Sequence, residues 1–282
     1  MKRILALSFS CCLMLLAISC DKIEGPYIVT DTDEEITVQF PDLDLSTVYR
    51  KVLIEEYTGH RCPNCPTGHE KLDELLARFG DTLIPICIHA TSLAQPTTEF
   101  PDNLMTEVGT QLANDYQIDG IPAAIINRAN EPMGSIPARW LSKVQAVDRS
   151  HTPAAIQIIN QYGETGEDVL KVNVKVTLIE EQTNPLRIAL FIVEDGIVSP
   201  QIDGTDIIND YVHNHVLRGS LNDTYGTLLD NASTAAGLTT FTMAKSFSLA
   251  CTNWNPAHCS VVAILYDKNN YDVLQVEKKY IY

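Results

Sequence analysis

Near residue 150 the spacing of apolar residues along this chain changes. Upstream, Val52-Leu53-Ile54 begins an apolar run that ends at Tyr57. Leu72, Leu75, Leu76 and Phe79 then follow the i, i+3, i+4, i+7 spacing of one helix face. Gly80 is placed to end that helix. Leu83 to Ala90 reads as a second strand. Pro85 inside it has no N–H for a ladder, so the strand is expected at or near a sheet edge. A helix is predicted near Asn103 to Tyr116 on Leu104, Val108 and Leu112, then a strand from Ala123 to Asn127 and a turn at Asn130-Glu131. Pro137 opens a further helix carrying Trp140, Leu141, Val144 and Val147. The order β-α-β-α-β-(β)-α predicts an α/β domain over residues 48–150.

From 153 onward the period is two. Leu170, Val172, Val174, Val176 and Leu178 share one face of a strand, with Lys171, Asn173, Lys175 and Thr177 on the other. Leu186–Val193, Thr240–Leu249, Cys259–Tyr266 and Tyr271–Val276 read as further strands, with Lys268-Asn269-Asn270 a hairpin turn. No helix of ten residues is evident, so residues 153–282 are expected to form an all-β antiparallel, immunoglobulin-like sandwich.

The start of the chain reads as an address. Lys2 and Arg3 precede an apolar stretch from Ile4 to Ile18, the pattern of an export signal over residues 1–19. Ala17-Ile18-Ser19-Cys20 resembles a bacterial lipobox, which predicts cleavage before Cys20, its lipidation, and attachment to the bilayer by lipid alone. Residues 20–47 are rich in acids, including Asp31, Asp33, Glu34 and Glu35, and read as a tether. Ile36 to Phe40 is a candidate short strand. Lys and Arg number 20 against 36 Asp and Glu, a formal charge of −16. That balance excludes nucleic acid as a partner, because phosphate binding needs basic patches.

The chemistry concentrates at Cys62-Pro63-Asn64-Cys65, between the first strand and the first amphipathic helix. A helix N-terminus carries unpaired N–H groups and a partial positive charge, which stabilise a thiolate. Cys62 is expected to be the attacking thiolate. Cys65, one turn into the helix, is expected to resolve the mixed disulfide. Glu56, six residues upstream of Cys62, is a candidate proton carrier behind the pair. Ile121-Pro122 precedes the next strand, where a cis proline can present backbone to an extended partner.

The strand, the CxxC, the helix, an acid six residues upstream and Gly120-Ile121-Pro122 before a strand together resemble the thioredoxin-like superfamily over residues 48–150. The resemblance implies that Cys62 and Cys65 are a redox pair, that Pro122 is cis and that Glu56 is a buried acid. His60-Arg61 stands where the superfamily usually has an aromatic residue. The lipobox, the CxxC half, the stretch Tyr211-Val212-His213-Asn214-His215-Val216-Leu217-Arg218 and the β-rich tail together resemble the twenty-eight-kilodalton outer-membrane lipoprotein family of Gram-negative anaerobes. That resemblance implies outer-membrane attachment and no settled reaction.

Competing readings remain open at this level. Cys62 and Cys65 can form a structural disulfide without turnover, since export lets disulfides persist. His60-x-Cys62-x2-Cys65-x3-His69 offers two imidazoles and two thiolates to zinc or copper, although no second CxxC accompanies it and no cofactor is expected. Cys87 reads as a buried thiol. Cys251 and Cys259 flank a short segment between two strands and are expected to form a structural disulfide. His213 and His215, two apart, would face the same way on a strand. Two functions follow: thiol–disulfide exchange on exported proteins, or a non-catalytic surface binding lipoprotein on the same scaffold.

Overall fold

The computed structural model describes residues 36, 38–128, 134–164, 167–230, 232, 238–250 and 252–282. The signal peptide, Cys20, most of the tether, the Asn130-Glu131 turn and Cys251 lie outside the described residues. The described part of Ile36 to Phe40 forms no strand; the nearest local structure is a 3-10 turn at Leu45–Thr47, capped by the Asp44 side chain.

β1 (Val52–Thr58) is buried along its whole length, which explains its unbroken apolar start: a strand covered on both faces has no polar side to alternate with. It pairs in parallel with β2 (Leu83–His89) and antiparallel with β3 (Ala123–Ile126). α1 (Cys65–Phe79) sets Leu72 and Leu75 beside Trp140 and Val144 of α3 (Pro137–Ala146), all against Val52 and Ile54. Gly80 caps α1 at a φ of 56°, a conformation that favours glycine. α2 (Glu107–Asp115) starts later than the periodicity predicts. Thr106 fixes the start, its Oγ1 accepting the Gly109 N–H at 3.0 Å.

The second half is made of strands. They are β4 (Ala154–Tyr162), β5 (Val169–Leu178), β6 (Leu186–Glu194), β7 (Ile197–Val198), β8 (Gln201–Asp203), β9 (Asp206–Ile208), β10 (Val212–His213), β11 (Val216–Ser220), β12 (Thr227–Leu229), β13 (Thr240–Ser248), β14 (Cys259–Asp267) and β15 (Val273–Tyr280). Among the described residues no α-helix follows α3. β15 begins two residues after the expected Tyr271, because the turn at Lys268-Asn269-Asn270 runs on through Tyr271, whose φ is 64°.

The change of period at 150 is not a boundary between sheets. One sheet runs β15-β14-β6-β11-β2-β1-β3, with β12 also on β6. β11 is the joint: it pairs antiparallel with β6, while Val216 pairs in parallel with Cys87 of β2. This corrects the expected placement of the Pro85 strand, which lies inside the sheet. Cys87 N–H donates to the His215 carbonyl at 2.7 Å on the side away from β1, and Pro85, two residues earlier, turns its ring nitrogen the same way. The ladder to β11 is confined to Cys87, so the missing donor interrupts nothing.

A second sheet, β13-β5-β4, covers one face. Its Val172, Val174 and Val176 share a core with Ile188, Leu190 and Ile192 of β6. The intervening β6 residues Ala189, Phe191 and Val193 share the next core with Tyr57, Ile86 and Leu112. Period-two alternation here separates two buried cores. On β5, where one side is less covered, it separates core from surface.

Candidate functional site

The CxxC turn lies between β1 and α1, and the chain closes it locally. Cys62 N–H donates to Gly59 O at 3.0 Å and Cys65 N–H to Cys62 O at 3.3 Å. Asn64 is the N-cap, so Cys65 is the first residue of α1 rather than one turn inside it, and Pro66 occupies the first turn, where no N–H is needed. Cys62 and Cys65 form a disulfide with Cα atoms 5.4 Å apart. The Cys62 sulfur lies 3.6 Å from the Ile121 carbonyl oxygen, and the Ile121–Pro122 peptide is cis. The sequence-predicted residues Cys62, Cys65, Ile121 and Pro122 therefore meet at one place.

Glu56 meets them from behind. A Cβ built on Gly68 would lie 2.7 Å from Glu56 Oε1 and 2.8 Å from the Pro122 Cβ, so the bare glycine is what lets the first turns of α1 close over the carboxyl. Glu56 is fully buried, and among the described residues no lysine or arginine pairs with it. Burial pushes its carboxyl up to about 8; the Cys87 thiol, donating to Oε2 at 3.5 Å, opposes that shift, and Asp73 adds to it. Cys87 is itself held far above the ordinary thiol range by burial and by Glu56.

His69 stands between Glu56 and solvent. Its Nε2 is 3.8 Å from Glu56 Oε1 and 2.8 Å from Thr58 Oγ1, and its Nδ1 is 2.6 Å from the Tyr211 hydroxyl. Burial, with a contribution from His213, lowers His69 to about 4, so this pair is neutral against neutral at pH 7. A cavity of about 50 Å³ adjoins it, lined in part by His69, Cys87, His89, Tyr211 and His213. Burial keeps His89 and His213 neutral as well, and both ring nitrogens of His89 lack a protein partner. This imidazole cluster joins β1, β2, α1 and β10 and was not read from sequence. Its members, His69, His89 and His213, are far apart in the chain with no common spacing.

Cys62 is 1 % exposed, and Gln201 of β8 donates to its carbonyl oxygen at 3.1 Å. Two expectations need correction. His60 and His69 do not converge on the cysteines. His60 stacks on Phe100 with ring centroids 5.3 Å apart and contacts Gln95 O, while His69 turns to Thr58 and Tyr211. Among the described residues no group of three His, Cys, Asp or Glu is arranged to hold a metal ion. His213 and His215 do not share a face, because His215 has a φ of 58° and swings to Asp195, whereas His213 contacts Ser199 O. The expected Cys251–Cys259 bridge falls on Cys251, outside the described residues, and of that pair only Cys259 is described. It is fully buried at the start of β14, in the core with Val261 and Ile281, and burial beside Glu194 pushes it up to about 12.

A family model, outer membrane protein Omp28, matches residues 109–282. The chain belongs to the Omp28 outer membrane protein family. That membership places it at the outer membrane of the cell envelope. The matched segment starts within α2 and takes in β3, α3 and all of the β-rich half, including the Tyr211–Arg218 stretch, but not the CxxC. No curated protein matches this Omp28-family chain. Among solved structures, HBP35 of Porphyromonas gingivalis superposes with a TM-score of 0.65 at 17% identity, over 83% of this chain and 76% of that one. Protein AGR_C_4864 from Agrobacterium tumefaciens gives a TM-score of 0.53 at 11% identity, over 84% and 96%. Both likenesses are of fold. Among the described residues no helix is long and apolar enough to cross a membrane.

Proposed function

We propose that this Omp28-family protein is a lipoprotein, held at the outer membrane through acylated Cys20, whose thioredoxin-like half exchanges disulfides with exported proteins. The observation that carries the reading is the convergence of the Cys62–Cys65 disulfide, Ile121-Pro122 and a carboxyl raised to about 8 at a helix start. In the reducing direction, the Cys62 thiolate attacks one sulfur of a client disulfide, and the other client sulfur leaves as a thiolate and takes up a proton. Glu56, in the ionised fraction that a carboxyl raised to about 8 retains near neutral pH, then accepts the Cys65 proton. Cys65 attacks the Cys62 sulfur and the second client thiolate departs. The client gains two electrons and the protein ends in the disulfide form described above. Oxidation of a client runs the same steps backward. Ile121 and Pro122 flank the sulfur on the side where a client backbone would lie. The immunoglobulin-like reading of the all-β half gives that half a supporting or client-binding part.

The test is a Cys65→Ser variant expressed in the envelope. It is expected to accumulate reducible mixed disulfides through Cys62, and the purified wild type is expected to accelerate disulfide exchange. Failure of both rejects the reading. The near-complete burial of Cys62 favours a second reading, a non-catalytic binding lipoprotein with a fixed disulfide. That reading expects the Cys62→Ser/Cys65→Ser double variant to keep all partner binding.

A further inference from the structure

We propose that the β8–β9 hairpin is a strap that closes the CxxC by filling, with its own backbone, the place of an extended client segment. The proposal rests on the exchange reading above and names its substrate class: polypeptide segments in extended conformation.

The contact has the character of strand pairing. In an extended strand, alternate N–H groups point to opposite edges. Those of Ile202 and Gly204, two apart, donate to His60 O at 2.8 Å and to Pro63 O at 2.9 Å. Between these two acceptors sit Arg61 and Cys62. Gln201 reinforces the contact from a fully buried side chain, its Nε2 donating to Cys62 O at 3.1 Å and lying 3.4 Å from Gly59 O. The CxxC turn therefore presents a row of carbonyls, and in this closed form the chain's own β8 takes them. Any extended segment can offer the same pair of N–H groups, so the row selects for backbone conformation and not for side-chain identity.

The strap is also built to leave. β8 and β9 pair only with each other among the described residues, and Asp203 to Ile208 are exposed. No residue of the hairpin belongs to the three hydrophobic cores. What holds it down is a few hydrogen bonds, each of which shifts an equilibrium by roughly fivefold. Segments secured in this way open locally without global unfolding. Ile207 and Ile208 of β9 are already 43% and 38% exposed, so lifting the hairpin uncovers little further apolar surface at these two side chains.

The test measures Cys62 alkylation by iodoacetamide in the folded, reduced protein, on a Cys65→Ser background so that one thiol reports. Gln201→Ala removes the side-chain tie, and Ile202→Pro removes the donor to His60. Both are expected to raise the alkylation rate on the order of tenfold. With Cys65 intact, both are expected to raise the rate of insulin disulfide reduction in parallel. If Ile202→Pro does not fold, Gln201→Ala decides. An alkylation rate unchanged in variants that keep the parent's unfolding midpoint overturns the strap, even if insulin is reduced. Alkylation that rises while insulin stays intact in every variant upholds the strap and rejects the exchange reading.

Discussion

Glu55 and Glu56 are neighbours in β1, both fully buried, and their surroundings differ completely. Successive side chains of a strand point to opposite faces. On one face Glu55 receives Arg128 in a two-pronged pair, Nε to Oε2 at 2.9 Å and Nη2 to Oε1 at 2.6 Å. Arg128 in turn lies over the rings of Phe191 and Tyr266, at 5.8 and 5.3 Å, so this ion pair fastens the α/β half to β6 and β14. On the other face Glu56 has a thiol, a neutral imidazole and the disulfide turn for company. One carboxyl is paired with a guanidinium; the other is kept protonated near neutral pH. The lesson is that one strand can carry a fastening and a proton store side by side, provided that the sheet isolates them.

The comparison breaks most visibly at Arg128. Arg128→Ala leaves the buried Glu55 without its partner and is expected to cost about 3–5 kcal/mol, read as a lower denaturant midpoint. A loss below ~1 kcal/mol would mean that the pair does not fasten the halves.

Glu56 is expected to behave in the opposite sense. Its folded carboxyl is raised to about 8 from 4.5, so over that window the unfolded chain releases a proton that the folded chain keeps, and stability falls as pH rises. Below about 6.5 the buried histidines oppose this, since His69 and His213 are lowered to about 4 and the unfolded chain there binds more protons. Between pH 6.5 and 8 the Glu56 share of the loss is about 2 kcal/mol; His60, His69, His89 and His213 offset it near 6.5, so it is read as the difference between the wild type and Glu56→Gln. Glu56→Gln is expected to flatten that slope and to stabilise the protein at pH 8, measured by urea midpoints at the two pH values. A slope that survives in Glu56→Gln would show that another group titrates there.

A third break lies at Gly68, which gives Glu56 its close neighbour. Gly68→Ala would push a methyl against Glu56, Pro122 and Trp140 and is expected to cost about 1–3 kcal/mol, with a smaller change at any exposed position of α1. An unchanged midpoint would mean that α1 can shift away, and that the carboxyl is less tightly sealed than its burial indicates.

The parts of this molecule legible from residues are those whose causes are local. The α1 face, the Thr-capped and Pro-opened helices, the β5 alternation, the CxxC at a strand–helix junction and the proline before β3 each rest on a few consecutive positions. The β8–β9 hairpin left a readable signal too, in the glycine of its Gly204-Thr205 loop. Nothing in that signal says that the hairpin lands on Cys62, 139 positions away. Glu55 with Arg128, and Glu56 with Cys87 and His69, are likewise long-range meetings between residues that look ordinary in sequence.

Sequence alone therefore determined the three α-helices, the strands β1, β2, β3, β5, β6, β13, β14 and β15, and a pair of thiols beside a helix start, because backbone preference and side-chain period act over a few residues; β4 and the short strands β7 to β12 were not legible in it. Tertiary structure alone decided that β11 threads the all-β half into the sheet of the α/β half, that one glutamate finds a cation and its neighbour does not, and that the disulfide is covered. Those outcomes depend on which distant groups are excluded from water together, and burial is a property of the assembled chain.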